Sequence, residues 1–355
     1  MRRVLHLLTA LMVVTFVVIG VARQSVAAPG ASEDGVPDPT SGAPPQYDAP
    51  PPPAEGLPED AEALRIPFDD GAIPEPIAKA AHDHRNAPIG QRITAISEAM
   101  MGTPYLNDAT GEGTAPDFDP PARYDAFDCL TFVEEVLALS LAPDVRGAAA
   151  VRNSLRYGDG QPTTYEDRLH FMLQQWVPQA IEAGWVRDIT AELGETRLMQ
   201  KKVTLRNWQW WKGRKLFLLP DERLPTGTFR MQVLTPGSAW DVAPEIPDGA
   251  IVLTVRESKD HVPIIVTHLG FKVSSAVPDK PFFRHATKMG KRPRVRNDWL
   301  RWYVEHNRWY HWWPVAGFTV LMPQEAGPRL SRLAAEEARV AKAKATEKAR
   351  TEGTH

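Results

Sequence analysis

Apolar side chains recur at Ile89, Ile93, Ile96 and Met100, the spacing of one helix face, and Pro88 suits a helix start, so a helix is expected over 88–101. A shorter helical stretch is expected from about Ile77 to His84. A turn-rich segment follows, from Gly102-Thr103-Pro104-Tyr105 through Gly111-Glu112-Gly113 to Pro120-Pro121, ending at Asp128, whose side chain can cap the next helix. That helix is predicted from Cys129 to about Leu141. It places Leu130, Val133, Val136, Leu137 and Ser140 on one face and turns Glu134 and Glu135 elsewhere. Strands are predicted over 264–273 and 282–286, rich in β-branched and aromatic residues, and over about 315–322.

The ends of the chain have different patterns. Met1-Arg2-Arg3, an apolar run from about Val4 to Val21 and Ser25-Val26-Ala27-Ala28 have the layout of an export signal, with cleavage expected after Ala27. An uncleaved membrane anchor is the alternative, because the run nearly reaches the roughly 20 residues of a spanning helix. Residues 28–60 are rich in Pro, Gly, Ala, Ser and acidic side chains and read as a tether without a core. Residues 324–355, dominated by Ala, Glu, Lys and Arg, read as a solvated helical or disordered tail. Between them, 61–323 is long enough for one domain with its own core.

The formal charge of −3 falls to about −6 without Arg2, Arg3 and Arg23, and no basic patch interleaved with aromatics stands out, which argues against nucleic acid as a partner. No pair of histidines at i, i+4 encloses a carboxylate, so neither a metal nor any other cofactor is expected. Two aromatic clusters, Trp208–Trp211 and Trp299–Trp313, suit either edge packing or stacking on sugar rings.

Cys129 is the only cysteine, so it has no intrachain disulfide partner. It is either an inert buried residue or a reactive thiol. At a helix N-terminus the unpaired backbone N–H groups and the dipole favour a thiolate, and the same groups can donate to an oxyanion. His268, within the predicted strand 264–273, is the candidate base. His285, on the next strand, can orient it, although a neighbouring Asn or Asp could take that role. The order of cysteine on a helix, then histidine and polar partner on a following sheet, is that of papain-like thiol hydrolases.

These residues sit in segments that together resemble the N-acetylmuramoyl-L-alanine amidase-like branch of the NlpC-type cell-wall hydrolases. Gly102-Thr103-Pro104-Tyr105 is similar to a "GTPY" segment, Phe127-Asp128-Cys129 to "FDC", His268-Leu269-Gly270-Phe271 to "HxGF" and Arg284-His285-Ala286-Thr287 to "RHAS". Tyr165-Glu166-Asp167-Arg168-Leu169-His170-Phe171 and Tyr157-Gly158-Asp159-Gly160 resemble segments of the same branch. Leu130-Thr131 departs from the Ser-Gly common elsewhere in the superfamily, and Ala250 stands where an acid is common.

The resemblance implies an α+β, papain-like fold with a helix-borne cysteine packed on an antiparallel sheet. It implies Cys129 as nucleophile, His268 as base, His285 as its orienting partner and Tyr105 as an oxyanion-side wall. Arg168 and His170 fall where substrate is expected, and an Arg suits the carboxylates of a stem peptide. The expected substrate is peptidoglycan or muropeptide fragments outside the cytoplasm, periplasmic or secreted, with membrane contact only if the N-terminal segment stays uncleaved. Three functions follow: an amidase separating L-alanine from muramic acid, an endopeptidase cutting after D-glutamate, and a non-catalytic peptidoglycan-binding protein.

Overall fold

The computed structural model describes residues 73–142, 147–325, 327, 329 and 330. The expected signal, the tether and most of the tail lie outside them. Among the described residues, helices α1 (Glu75–Asp83), α2 (Ile89–Ala99), α3 (Cys129–Leu141), α4 (Ala148–Tyr157) and α5 (Val177–Glu182) precede most of the sheet. Then come β1 (Val186–Asp188), α6 (Thr190–Leu193), β2 (Thr196–Val203), α7 (Leu205–Trp210), β3 (Gly227–Leu234), α8 (Pro236–Asp241) and β4 (Ile251–Arg256). The last elements are β5 (Val266–Val273), β6 (Phe282–Thr287), β7 (Arg294–Trp299), α9 (Leu300–Arg308) and β8 (Val315–Pro323). The expected helices and the strands at 264–273, 282–286 and 315–322 are present within a few residues of their predicted bounds.

The strands form one eight-stranded sheet in the order β2-β3-β8-β4-β5-β6-β7, with β1 also paired to β8, and every pairing is antiparallel. The fold is therefore α+β. The α1–α5 side contributes Ile93, Phe132, Val136, Leu137 and Trp176 to one core, which includes Leu253, Leu269 and Phe271 from the sheet. A second core gathers Val252, Phe283, Phe318 and Val320 with Leu300, Tyr303 and Val304 of α9. The central strand β4 is buried on both sides, hence its unbroken apolar run. Strands β2, β3 and β7 carry more polar side chains, and their alternation is too weak to mark them in the sequence.

Helix α3 departs from the one-sided burial expected of it. Every residue from Thr131 to Leu141 is buried, Glu134 and Glu135 included. Burying a carboxylate requires a partner, and α4 supplies two. Arg152 donates to both oxygens of Glu135, through Nε and through Nη2 at 2.7 Å, and Tyr124 donates to the same carboxylate at 3.1 Å. Arg156 Nε donates to Glu134 at 3.0 Å, and Trp176 Nε1 donates to its other oxygen at 3.1 Å. Burial still pushes the Glu134 carboxyl upward against the pull of Arg156.

The tryptophan clusters divide. Trp208 is buried, tilted against Phe171 at 4.4 Å, and its indole donates to the Pro225 carbonyl, so it fills a small satellite core. Trp299 stacks on Phe282, whereas Trp309 and Trp312 are exposed.

Removing Arg152 would leave Glu135 charged and buried. Arg152→Met is expected to cost about 3–5 kcal/mol in urea unfolding. A loss below about 1 kcal/mol would mean that the pair does not hold α3 to α4.

Candidate active site

Cys129 is the first residue of α3, and Asp128 caps the helix. One oxygen of Asp128 accepts from the backbone N–H groups of Leu130 at 2.9 Å and Thr131 at 2.8 Å. The Thr131 hydroxyl accepts from Asp128 N at 2.9 Å, completing a reciprocal capping box. The cap uses the two N–H groups that were expected to be free for an oxyanion. It also sets a carboxylate beside the sulfur.

Burial and the Asp128 charge push the Cys129 thiol up to about 12, although backbone N–H groups, that of Leu269 first among them, donate to the sulfur. The helix terminus alone predicts a thiolate, and the capping carboxylate with burial outweighs it. The balance of these effects favours a thiol as the resting group at neutral pH.

The Leu269 N–H faces the sulfur and so sets it against β5 next to His268. A β-bulge lies at this point, because Thr254 of β4 pairs with His268 while Val255 pairs with Val266. Bulges bend a strand and re-aim the side chains beside them. His268 Nε2 lies 2.6 Å from His285 Nδ1 on β6, and His285 Nε2 lies 3.0 Å from Asp298 on β7. Arg296 Nη2 donates to the same Asp298 oxygen at 2.8 Å. His285 and Asp298 have no exposed surface.

Gly270 makes this packing possible. A Cβ there would lie 2.7 Å from that of His285, so any side chain would push the two strands apart. Burial, then the charges of His285 and Arg256, hold His268 well below the ordinary histidine range. Burial lowers His285 as well, against the opposing pull of Asp298.

Tyr105 stands on the segment that pairs with Phe127. Leu106 N donates to Phe127 O and Phe127 N to Pro104 O, both at 3.0 Å. Burial and the charges of Cys129 and Asp128 raise its phenol, so it remains an O–H donor. Lys288, just past β6, puts its ammonium 5.3 Å from the centre of the Tyr105 ring and donates to Asn107 at 3.1 Å. Burial lowers the Lys288 ammonium, while Cys129 and Asp128 oppose that shift.

The structure thus sets Tyr105 near Cys129, Cys129 against β5 at Leu269, and His268, the residue before Leu269, on His285. Arg168 and His170 are differently engaged. Arg168 donates to both oxygens of Glu112 at 2.8 and 2.7 Å, to Asp117 at 2.8 Å and to Thr110 O at 3.3 Å. Its charge holds a loop together. His170 lies 2.6 Å from the Tyr165 carbonyl and packs on the Tyr165 ring at 4.6 Å, and burial pushes it down to about 4.

Asp298 and Lys288 are the residues the sequence reading missed. The adjacent Asn297-Asp298 pair was the available signal for Asp298, given that an Asn or Asp near the histidines was a possible orienting group. Among the described residues no group of three or more His, Cys, Asp or Glu side chains is placed to hold a metal ion.

Alkylation of Cys129 by iodoacetamide in the substrate-free protein is expected to keep rising with pH through about pH 9, as a thiol raised by burial requires. A plateau below about pH 8 would mean that the resting group is a thiolate after all.

Residues 95–309 match the model of the AmiA-like, N-acetylmuramoyl-L-alanine amidase-like family. No curated protein matches the chain. Among solved structures, a protein of Legionella pneumophila is similar over 70% of this chain and 93% of its own, with 21% identity and a TM-score of 0.60. An N-acetylmuramoyl-L-alanine amidase of Bacteroides uniformis is similar over 66% of this chain and 99% of its own, with 20% identity and a TM-score of 0.51. A second structure of such an amidase from the same organism gives 19% identity and a TM-score of 0.53. At these identities the likeness is one of fold. The family match takes in more than half of the chain, with Tyr105, Cys129, His268, His285 and Asp298 inside it, and the chain belongs to the AmiA-like, N-acetylmuramoyl-L-alanine amidase-like family.

Proposed function

We propose that this chain is an exported cysteine hydrolase of peptidoglycan, with a papain-like site of the NlpC type, that cleaves the amide between N-acetylmuramic acid and L-alanine. The observation that carries the reading is the run of Cys129, His268, His285 and Asp298. A thiol at a helix start abuts a strand whose histidine is held by a second histidine and a buried carboxylate. Family membership supports the amide and the wall-derived substrate. The signal-like pattern of residues 1–28 supports export.

In the proposed reaction the Cys129 sulfur attacks the lactyl carbonyl carbon while its proton passes to His268. Because the thiol is held high, proton transfer accompanies attack and does not precede it. The oxyanion is met by the Cys129 backbone N–H and the Tyr105 hydroxyl, since the cap occupies the next two N–H groups. The carbon–nitrogen bond breaks, His268 returns the proton to the leaving amine of L-alanine, and a thioester remains. Water, losing a proton to His268, hydrolyses the thioester and regenerates the thiol.

Lys288 takes the role first expected of Arg168. It is exposed and close to Tyr105, whereas Arg168 is surrounded by three acids. It is suited to a carboxylate of the stem peptide.

Mass spectrometry of muropeptides incubated with the protein and with Cys129→Ala tests the reaction. Intact peptide with a free L-alanine amine is expected, and it should vanish in the variant while folding is kept. A shortened stem would assign the endopeptidase reaction instead, and no product from any muropeptide would leave a binding protein. Lys288→Met is expected to raise KM about tenfold with kcat little changed, the loss of one exposed charge-assisted contact. An unchanged KM would remove Lys288 from substrate binding.

A further inference from the structure

We propose that Asp298 is a positioning residue that sets, through His285, which nitrogen of His268 carries the proton, leaving His268 Nδ1 bare to receive one. The inference rests on the reading of His268 as the base.

The three side chains are linked across adjacent strands. In the β6–β7 register His285 pairs with Arg296 and Phe283 with Asp298, so Asp298 is the diagonal neighbour of His285 on one face. In the β5–β6 pairing Phe271 lies opposite Arg284, and continuing that register places His285 opposite Gly270, diagonal to His268. The contacts, 2.6 Å and 3.0 Å, agree with both steps.

The proton assignment follows from which groups can donate. Asp298 is buried, and donation from His285 and Arg296 holds its carboxyl below the usual range against the effect of burial. It is therefore an acceptor only, and His285 must donate to it from Nε2. A neutral His285 then presents a lone pair at Nδ1. His268 must donate to that lone pair from Nε2, so its own Nδ1 carries no proton.

Protonating His285 would reverse the second bond and spoil the base. The groups that bear on this pair are Asp298 and Arg296 of β7, Arg256 of β4 and Tyr303 of α9, whose ring packs on both imidazoles. Burial of both rings and the two arginines oppose a second proton, while Asp298 opposes the arginines.

Replacing Asp298 separates bonding from charge. Both His285 and Arg296 donate to one oxygen of Asp298, so in Asp298→Asn the amide should turn its own oxygen to that place. The tautomers are then preserved. Asp298→Ala removes the acceptor, and His285 can donate from either nitrogen.

The test is nitrogen-15 NMR of histidine-labelled protein, with resonances assigned through single-histidine variants, alongside kinetics. In the wild type and Asp298→Asn, His268 and His285 should both be protonated at Nε2. In Asp298→Ala, His268 should populate the Nδ1-protonated form, and kcat should fall about 10²-fold with KM held, short of the roughly 10⁴-fold seen when a triad's tautomer is reversed outright.

A wild-type His268 protonated at Nδ1 would overturn the proposal, as would wild-type tautomers in Asp298→Ala. If Asp298→Ala does not fold, the wild-type spectrum still decides. The spectra need no substrate, so failure to cleave muropeptides would count against the proposed reaction and leave the tautomer assignment standing.

Discussion

Helix α3 is buried on every side, and a helix in that position must find a partner for each charge it carries. Glu134 and Glu135 find theirs in Arg156 and Arg152, one turn apart on α4, with Tyr124 and Trp176 completing the acceptors' shells. The pairs fix the rotation of α3 about its axis and its height against α4. Cys129, at the end of the same rod, is placed by them. An apolar α3 would pack as well and would be less committed to one orientation.

That N-terminal end of the rod shows two electrostatic effects in competition. A helix N-terminus favours an anion, and Asp128 has already taken that position by accepting the Leu130 and Thr131 N–H groups. The cap stabilises the helix, and its charge raises the thiol beside it. In the proposed reaction, a site built this way holds its nucleophile protonated and relies on the neighbouring histidine for activation. That dependence is why the bonding behind His268 carries so much of the chemistry proposed for this chain.

Three adjacent antiparallel strands supply that bonding. Side chains on one face of neighbouring strands recur at fixed diagonal offsets, so the β5–β6–β7 register brings His268, His285 and Asp298 into line. A one-residue slip in either pairing would turn His285 to the opposite face. Gly270 and the bulge beside His268 are the local adjustments that let the line close.

Local pattern by itself determined much of this protein. Period and caps marked α2 and α3, β-branched runs marked β5, β6 and β8, and the lone cysteine after a capping aspartate marked the head of α3. Each of these depends on residues a few positions apart, so it survives reading one stretch at a time. Tertiary structure decided the rest. The partners of Arg168, Glu112 and Asp117, lie 56 and 51 residues away, so the ion pairs that engage its charge are not legible in its own segment. Glu134 and Glu135, expected off the packed face, are buried because α4 packs against them. Asp298 became part of the histidine line only through the register of β7, a polar strand that periodicity does not reveal. Charges at long separation acquire their roles from burial and pairing, and both are properties of the assembled fold.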